Sequence, residues 1–298
     1  MLASHPAGLA WNTVPTLTAN SAEQTAQLEQ VCWQVTSEVD RYCRQPLRAT
    51  VNTDQLQGPG LPRVASDRQT RIGTLITKRW PVTSVVAIQT SPARSFPSSW
   101  SAVPSGLWKV RNPVILSAAP TPSTGPQGGN RIDVAPGYVT WDHGKGGLDV
   151  MLSYIHAWPH AGLTAVAAAG AQTLLVDDVT AWAGAVGFVY DGVSTELVEV
   201  TAVAATTPIQ LPGVGGPVQA GPGTLTLAGP LGFQHGAGTV VSALPPDAIR
   251  ATALHAAVIA LETIDAIATQ SMSGQFAGGT GVLAEEAELI LDDYRRIA

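Results

Sequence analysis

The sequence predicts an α+β fold: a core of long helices carrying a small antiparallel sheet, with a separate all-β barrel or sandwich inserted in one of its loops. Three observations predict it. Apolar residues recur at helical spacing over 21–43, 245–268 and 282–297. β-Branched residues alternate in short runs within 47–90 and 131–158. The block 162–242 is made of short β-branched runs split by Gly, Pro and Asp, and is nearly free of Lys and Arg.

Residues 1–20 read as an extended arm. Pro6, Gly8 and Pro15 break any helix, while Leu9, Trp11 and Leu17 offer anchors for a neighbour; a disordered terminus with incidental hydrophobes is the alternative. Over 21–43, Asn20 or Ser21 suits an N-cap with Glu23 or Gln24 completing a capping box. Leu28, Val31, Cys32, Val35, Val39 and Tyr42 form the apolar stripe, and Gln45-Pro46 stops the helix. The β-branched runs 70–77 and 83–90 follow, joined by the turn Lys78-Arg79-Trp80-Pro81. Residues 91–130, rich in Pro, Ser and Gly, read as a long loop with one short strand near Leu107–Val110. Strands return at 131–134 and 148–154, linked by the turn 142–147.

If 162–242 were cut out, the strand before it would lead directly to the helix after it. The division is therefore an arm at 1–20, a main domain of 21–161 with 243–298, and an inserted all-β domain at 162–242. Helix 245–268 is the strongest in the chain. Pro246 and Asp247 suit its start, and Ile249, Leu254, Ala257, Val258, Leu261, Ile264 and Ala268 give it an apolar face. Residues 271–279 read as a flexible hinge before a last helix at 282–297.

Composition excludes several classes. Hydrophobic residues make up 45% of the 298, enough for a real core. A net charge of −6 gives no electrostatic reason for tight nucleic-acid binding. Cys32 and Cys43 lie on one helix, roughly 16 Å apart along its axis, too far for a disulfide. They read as small core residues of a chain made in a reducing cytoplasm. The N-terminus lacks the pattern of a signal peptide, and no uninterrupted apolar run suits a membrane span.

Six histidines invite a metal or acid–base reading. None forms an HxxxH pair on a helix, and Pro159 separates His156 from His160. Gly144-Lys145-Gly146-Gly147 lacks phosphate-loop spacing, and Asp177-Asp178 reads as a turn at a strand end. No nucleophile stands beside a base, so neither enzymatic activity, a cofactor nor a metal is expected.

Three stretches occur in a telling order. The first helix ends in Arg44-Gln45-Pro46-Leu47, Trp80-Pro81-Val82 lies between strands, and Pro245-Pro246-Asp247-Ala248-Ile249 starts the long helix. In this the chain resembles the head–tail connector proteins (adaptor or head-completion proteins) of tailed bacteriophages, over about 21–90, 131–161 and 243–298. The block 162–242 and the loop 91–130 depart from that pattern. The resemblance implies a helical connector core and a structural virion protein of the neck, made in the host bacterial cytoplasm. It implies a ring of about twelve copies below the portal. That ring would extend the channel through which double-stranded DNA passes without specific contact, and would dock the next neck or tail-completion protein. The partners implied are further copies of the chain, the portal and that downstream protein, with no membrane. The expected portal or subunit contacts are Phe276, Leu289 and Tyr294 as apolar anchors and Arg295 and Arg296 as charged ones; a terminal helix folded back on its own core is the alternative. Two competing readings are a binding or adhesion module acting through 162–242, and a hydrolase with a pocket at His156, His160 and Asp142.

Overall fold

The computed structural model describes residues 21–56, 64–66, 73–92, 100–111, 131–135, 148–191, 194–211, 216–268 and 277–295. Strands dominate it: fourteen strands stand against three α-helices among the described residues. This overturns the α+β fold with a helical connector core. Helices do occupy Ser21–Cys43 (α1), Pro246–Ala268 (α2) and Ala277–Asp292 (α3), but three antiparallel sheets build the body.

Two of the sheets have four strands. The first runs in the order β1 (Thr50–Leu56), β8 (Leu148–His156), β4 (Val82–Pro92), β5 (Ser101–Ala102). The second runs β2 (Val64–Ser66), β3 (Gly73–Ile76), β7 (Arg131–Val134), β6 (Trp108–Arg111). They share one core, with Leu56, Ile88, Leu152 and Tyr154 from the first and Leu75, Ile132 and Val134 from the second. The expected hairpin across Lys78–Pro81 is therefore not one. β3 pairs with β2 and β7, β4 pairs with β8 and β5, and the turn carries the chain from one sheet to the other. Within 91–130, the short strand expected near Leu107–Val110 is β6, which pairs with β7, and a further strand, β5, pairs with β4. The turn at 142–147 lies outside the described residues.

The third sheet has six strands in the order β10 (Thr173–Val176), β13 (Gly223–Leu227), β12 (Glu196–Ala205), β11 (Val186–Tyr190), β14 (Val240–Ser242), β9 (His160–Gly162). It curls until its edges meet. Leu163 bridges Val176, the Thr164 N–H donates to the Leu175 carbonyl at 2.9 Å, and the Asp177 N–H donates to the Gly162 carbonyl at 3.0 Å. Closure removes the open edges that would invite strand addition. Its core is separate and holds Leu174, Trp182, Val189, Val200, Leu225 and Val241, all fully buried. The chain enters at β9 and leaves at β14, which are hydrogen-bonded neighbours. A smaller apolar seam joins this sheet to the first: Val218 and Ala220 meet Ala49 and Ile155.

The helices form a fourth cluster around Trp158. Val35, Val39 and Cys43 of α1 meet Ala251, Ala257 and Ile259 of α2 and Leu291 after them. Small alanines let the helix backbones come close. α1 ends as a Schellman motif: Arg44 adopts φ 57°, its N–H donates to the Arg41 carbonyl, and the Gln45 N–H donates to the Asp40 carbonyl. Cys43 is buried, but Cys32 is exposed, contrary to its reading as a core residue. Residues 29–34 of α1 are exposed except for Val31, so this half of the helix has little packed against it. α3 starts five residues before the predicted 282 and includes Gly278, Gly279 and Gly281. Each such glycine disfavours helix by about 1 kcal/mol; the buried Ala287 and Leu291 later in the helix supply compensating packing.

Candidate assembly interface

The three sequence stretches that carry the resemblance meet at one joint. Gln45, only 3% exposed, sits at its centre. Its Oε1 accepts the Trp80 N–H at 3.1 Å, and its Nε2 donates to the Tyr294 carbonyl at 3.2 Å. The Trp158 N–H donates to the Leu47 carbonyl at 3.2 Å, the Ala49 N–H to the Trp158 carbonyl at 2.7 Å, and the Ala157 N–H to the Pro81 carbonyl at 2.8 Å. From the third stretch, Asp247 accepts the Tyr294 hydroxyl at 2.6 Å. Burial, then this bond to a carboxylate, pushes the Tyr294 phenol far up. The Tyr294 ring meets Trp158 edge-on at 5.5 Å. One amide side chain thus ties the end of α1 and the crossover between the sheets to the segment after α3.

A scan of protein families, a search of curated proteins and a search of solved structures each find no match to this chain.

The expected contact residues divide. Tyr294 is fully buried inside its own chain, where it holds α2 and the end of α3 together. Phe276 and Arg296 lie outside the described residues. Leu289 is 74% exposed. The Arg295 guanidinium lies 5.5 Å from the centre of the Tyr42 ring and 3.6 Å from the Asp292 carboxylate. The Tyr42 hydroxyl donates to Asp292 at 2.8 Å; burial and that acid push it up to about 12. Sequence reasoning missed two exposed apolar residues on the helices, Trp33 at 78% and Val282 at 63%. Trp33 lies off the apolar stripe assigned to the first helix, and that was the available signal.

The described histidines do not converge. His156 is fully buried, with neither ring nitrogen hydrogen-bonded. His160 Nδ1 lies 3.0 Å from the Ser242 hydroxyl, and His255 Nε2 lies 2.9 Å from Glu38. Asp142 and His143 lie outside the described residues. His235 is fully buried between two acids, with Asp191 2.8 Å from Nδ1 and Glu196 2.6 Å from Nε2. Burial alone would raise the Glu196 carboxyl, but bonds from the Gly232 amide, His235 and the Phe233 amide pull it below its usual value. The two carboxylates take opposite sides of the ring, so they do not face a common metal position. This cluster pins the loop at 232–235 to the ends of β11 and β12. Sequence offered no sign of it, because its members lie 39 and 44 residues apart.

Asp177 and Asp178 do end a strand, and both face Arg48, at 3.4 and 3.2 Å. Asp178 also accepts the Thr180 N–H and hydroxyl and the Gly221 N–H. This pair therefore anchors the third sheet to the link between α1 and β1. A cleft of about 250 Å³ beside β6 and β7 is lined, among the described residues, by Trp108, Lys109 and Asp133 and by no histidine. No described helix is long and apolar enough to cross a membrane.

Proposed function

We propose that this chain is a structural assembly subunit of the head–tail connector type. Copies form a ring below a phage portal, leave a passage for DNA, and receive the next neck or tail protein. The observation that carries the reading is the Gln45 joint. The three stretches that suggested the family are distant in sequence yet bonded to one another through Gln45, Trp158 and Tyr294, which supports reading them as one structural unit. Trp33, Val282 and Leu289 supply exposed apolar area of the kind that marks protein contacts. In this reading 21–161 with 243–298 is the connector domain, and 162–242 is an insertion on its outside. Leu289 and Arg295 remain its proposed portal or subunit contacts.

The test is electron microscopy of the chain mixed with its portal ring. Ring density below the portal supports the reading. A portal left bare at saturating concentrations of the chain refutes it.

One observation favours a second reading, a binding module. Leu197 is 53% exposed on the outer face of the curled sheet and lies directly across from Phe188, whose ring is 5.8 Å from Tyr190. A ligand held on this face would be released by Phe188→Ala and left in place by Leu289→Ser.

A further inference from the structure

The net charge of −6 hides two opposed halves. Thirteen of the 16 Lys and Arg residues lie between 41 and 145, beside four acids. From 146 onward there are fourteen acids and three basic residues. The fold places unpaired charges of the two signs on different elements.

On the basic side, three strand ends come together. β3 stops at Ile76 and leads to Lys78 and Arg79. Arg131 opens β7 opposite Ile76, and its other neighbour is Arg111 at the end of β6. Strand spacing puts these positions within about 15 Å of one another. Lys78 and Arg131 are exposed, and neither has a salt bridge among the described residues. Like charges gathered in this way favour a partner of opposite sign. Ile76 and Trp80, half-buried beside them, add apolar area.

On the acidic side stands the outer face of α3. Val282 and Leu289 are seven residues apart, so two helical turns bring them to the same side. Glu285, Glu288 and Asp293 surround them, exposed and without a salt bridge among the described residues, whereas Glu286 is paired with Arg250. α3 packs on α2 and α1, which are not the elements of the basic end.

We propose that the Val282–Leu289 face of α3, with its acidic rim, docks on the Lys78–Arg131 end of the second sheet in another copy of this chain. The two faces differ, so the contact is head-to-tail, and a series of such contacts closes into a ring when the rotation per step permits. The inference rests on the ring reading and names its contact. Duplex DNA is the competing occupant of the basic end. The α3 face decides between them, because two exposed apolar side chains need an apolar counterpart and a phosphate backbone offers none.

The experiment is sedimentation velocity on the full chain at rising concentration, in about 50 mM and about 500 mM salt. Self-association is expected at low salt and weakens at high salt. Lys78→Glu with Arg131→Glu weakens it by about tenfold or more, as does Glu285→Lys with Glu288→Lys. Mixing the two variants, each correctly folded by circular dichroism, restores association because each supplies a face that suits the other. A chain that stays monomeric at every concentration and salt overturns the proposal. So does association that neither charge reversal weakens, or a basic-end variant that loses only affinity for a DNA duplex. Association through these faces with no binding to the portal would instead refute the connector reading and leave this contact standing.

Discussion

Replacing His156 with leucine is expected to remove a large part of the chain's acid sensitivity. His156 is fully buried, its ring nitrogens have no hydrogen-bond partner, and it lies near Arg79. Burial first, and the Arg79 charge second, hold it down to about 4 from an ordinary value of 6.5. A folded value below the unfolded one means that the unfolded chain binds the extra proton. Stability is therefore full above pH 6.5 and falls as the pH drops toward 4. A difference of about 2.5 units corresponds to about 3 kcal/mol, a substantial share of a typical margin of about 5–15 kcal/mol. Leucine is close in volume and cannot titrate, and it removes two unpaired nitrogens, so His156→Leu is expected to match or exceed the native stability at pH 7.5. His160 is also held down to about 4, by burial and Arg48 against the opposing pull of Asp177 and Asp178. It is present in both proteins, so its contribution cancels in the difference. Urea unfolding at half-unit steps from pH 7.5 to 4.5 measures the gap between variant and native chain. The gap should widen by about 2–3 kcal/mol in favour of His156→Leu. Parallel stability curves would refute the reasoning, because His156 would then be equally easy to protonate folded or unfolded.

Three further outcomes are expected. Gly223→Ala places a methyl 2.2 Å from the Ala204 carbonyl oxygen, a backbone atom that cannot step aside, so β12 and β13 must separate. The loss should be about 3 kcal/mol or more in a thermal melt, and a change under about 1 kcal/mol would contradict the tight packing of that pair. Gln45→Leu leaves the Trp80 N–H and the Tyr294 carbonyl without their partner; a loss of about 2–4 kcal/mol in urea unfolding is expected, and no loss would remove Gln45 as the tie at the joint. Arg48→Met breaks a half-exposed contact with Asp177 and Asp178. It should cost under about 1 kcal/mol, because the apolar seam of Val218 and Ala220 against Ala49 and Ile155 still holds the third sheet in place.

The helices were legible because their signal is local. The stripe through Val35 and Val39 and the Pro246-Asp247 start depend on neighbours within a few turns, and α1 and α2 begin and end close to where those signals lie. Strand pairing is not local, and there the reading failed. β3 and β4 are separated by five residues and look like a hairpin, yet they do not pair with each other, and each has one partner far along the chain, β3 at Arg131–Val134 and β4 at Leu148–His156. β1 was missed altogether. Its sequence Thr-Val-Asn-Thr-Asp-Gln-Leu lacks an apolar alternation, and one of its inward residues is Asp54, which is 2% exposed. That carboxylate is inside because it accepts the Lys78 N–H at 2.8 Å and the Tyr154 hydroxyl at 3.0 Å. A buried acid satisfied by a turn and a tyrosine a hundred residues away has no signature in its own strand.

The candidate interface shows the same division in charge. An average of −6 over the whole chain argues against binding phosphate, and the argument is sound for a uniform surface. It fails for a chain whose basic residues are gathered before 146 and whose acids are gathered after it, because attraction acts over roughly 10 Å and not over the length of a protein. Within one copy, Arg48 with Asp177 and Asp178 is where the two halves meet as an ion pair among the described residues. Lys78 and Arg131 on one side, and Glu285, Glu288 and Asp293 on the other, have no salt bridge among the described residues. A surface pair contributes little alone, but several unpaired charges of each sign on separate faces bias encounter toward one orientation. Apolar side chains then fix the contact, and Leu289 is the most exposed of those on α3. Leu289→Ser should therefore weaken self-association while leaving its salt dependence intact, whereas charge reversal should change both; identical behaviour of the two variants would mean that charge and apolar area do not belong to one interface.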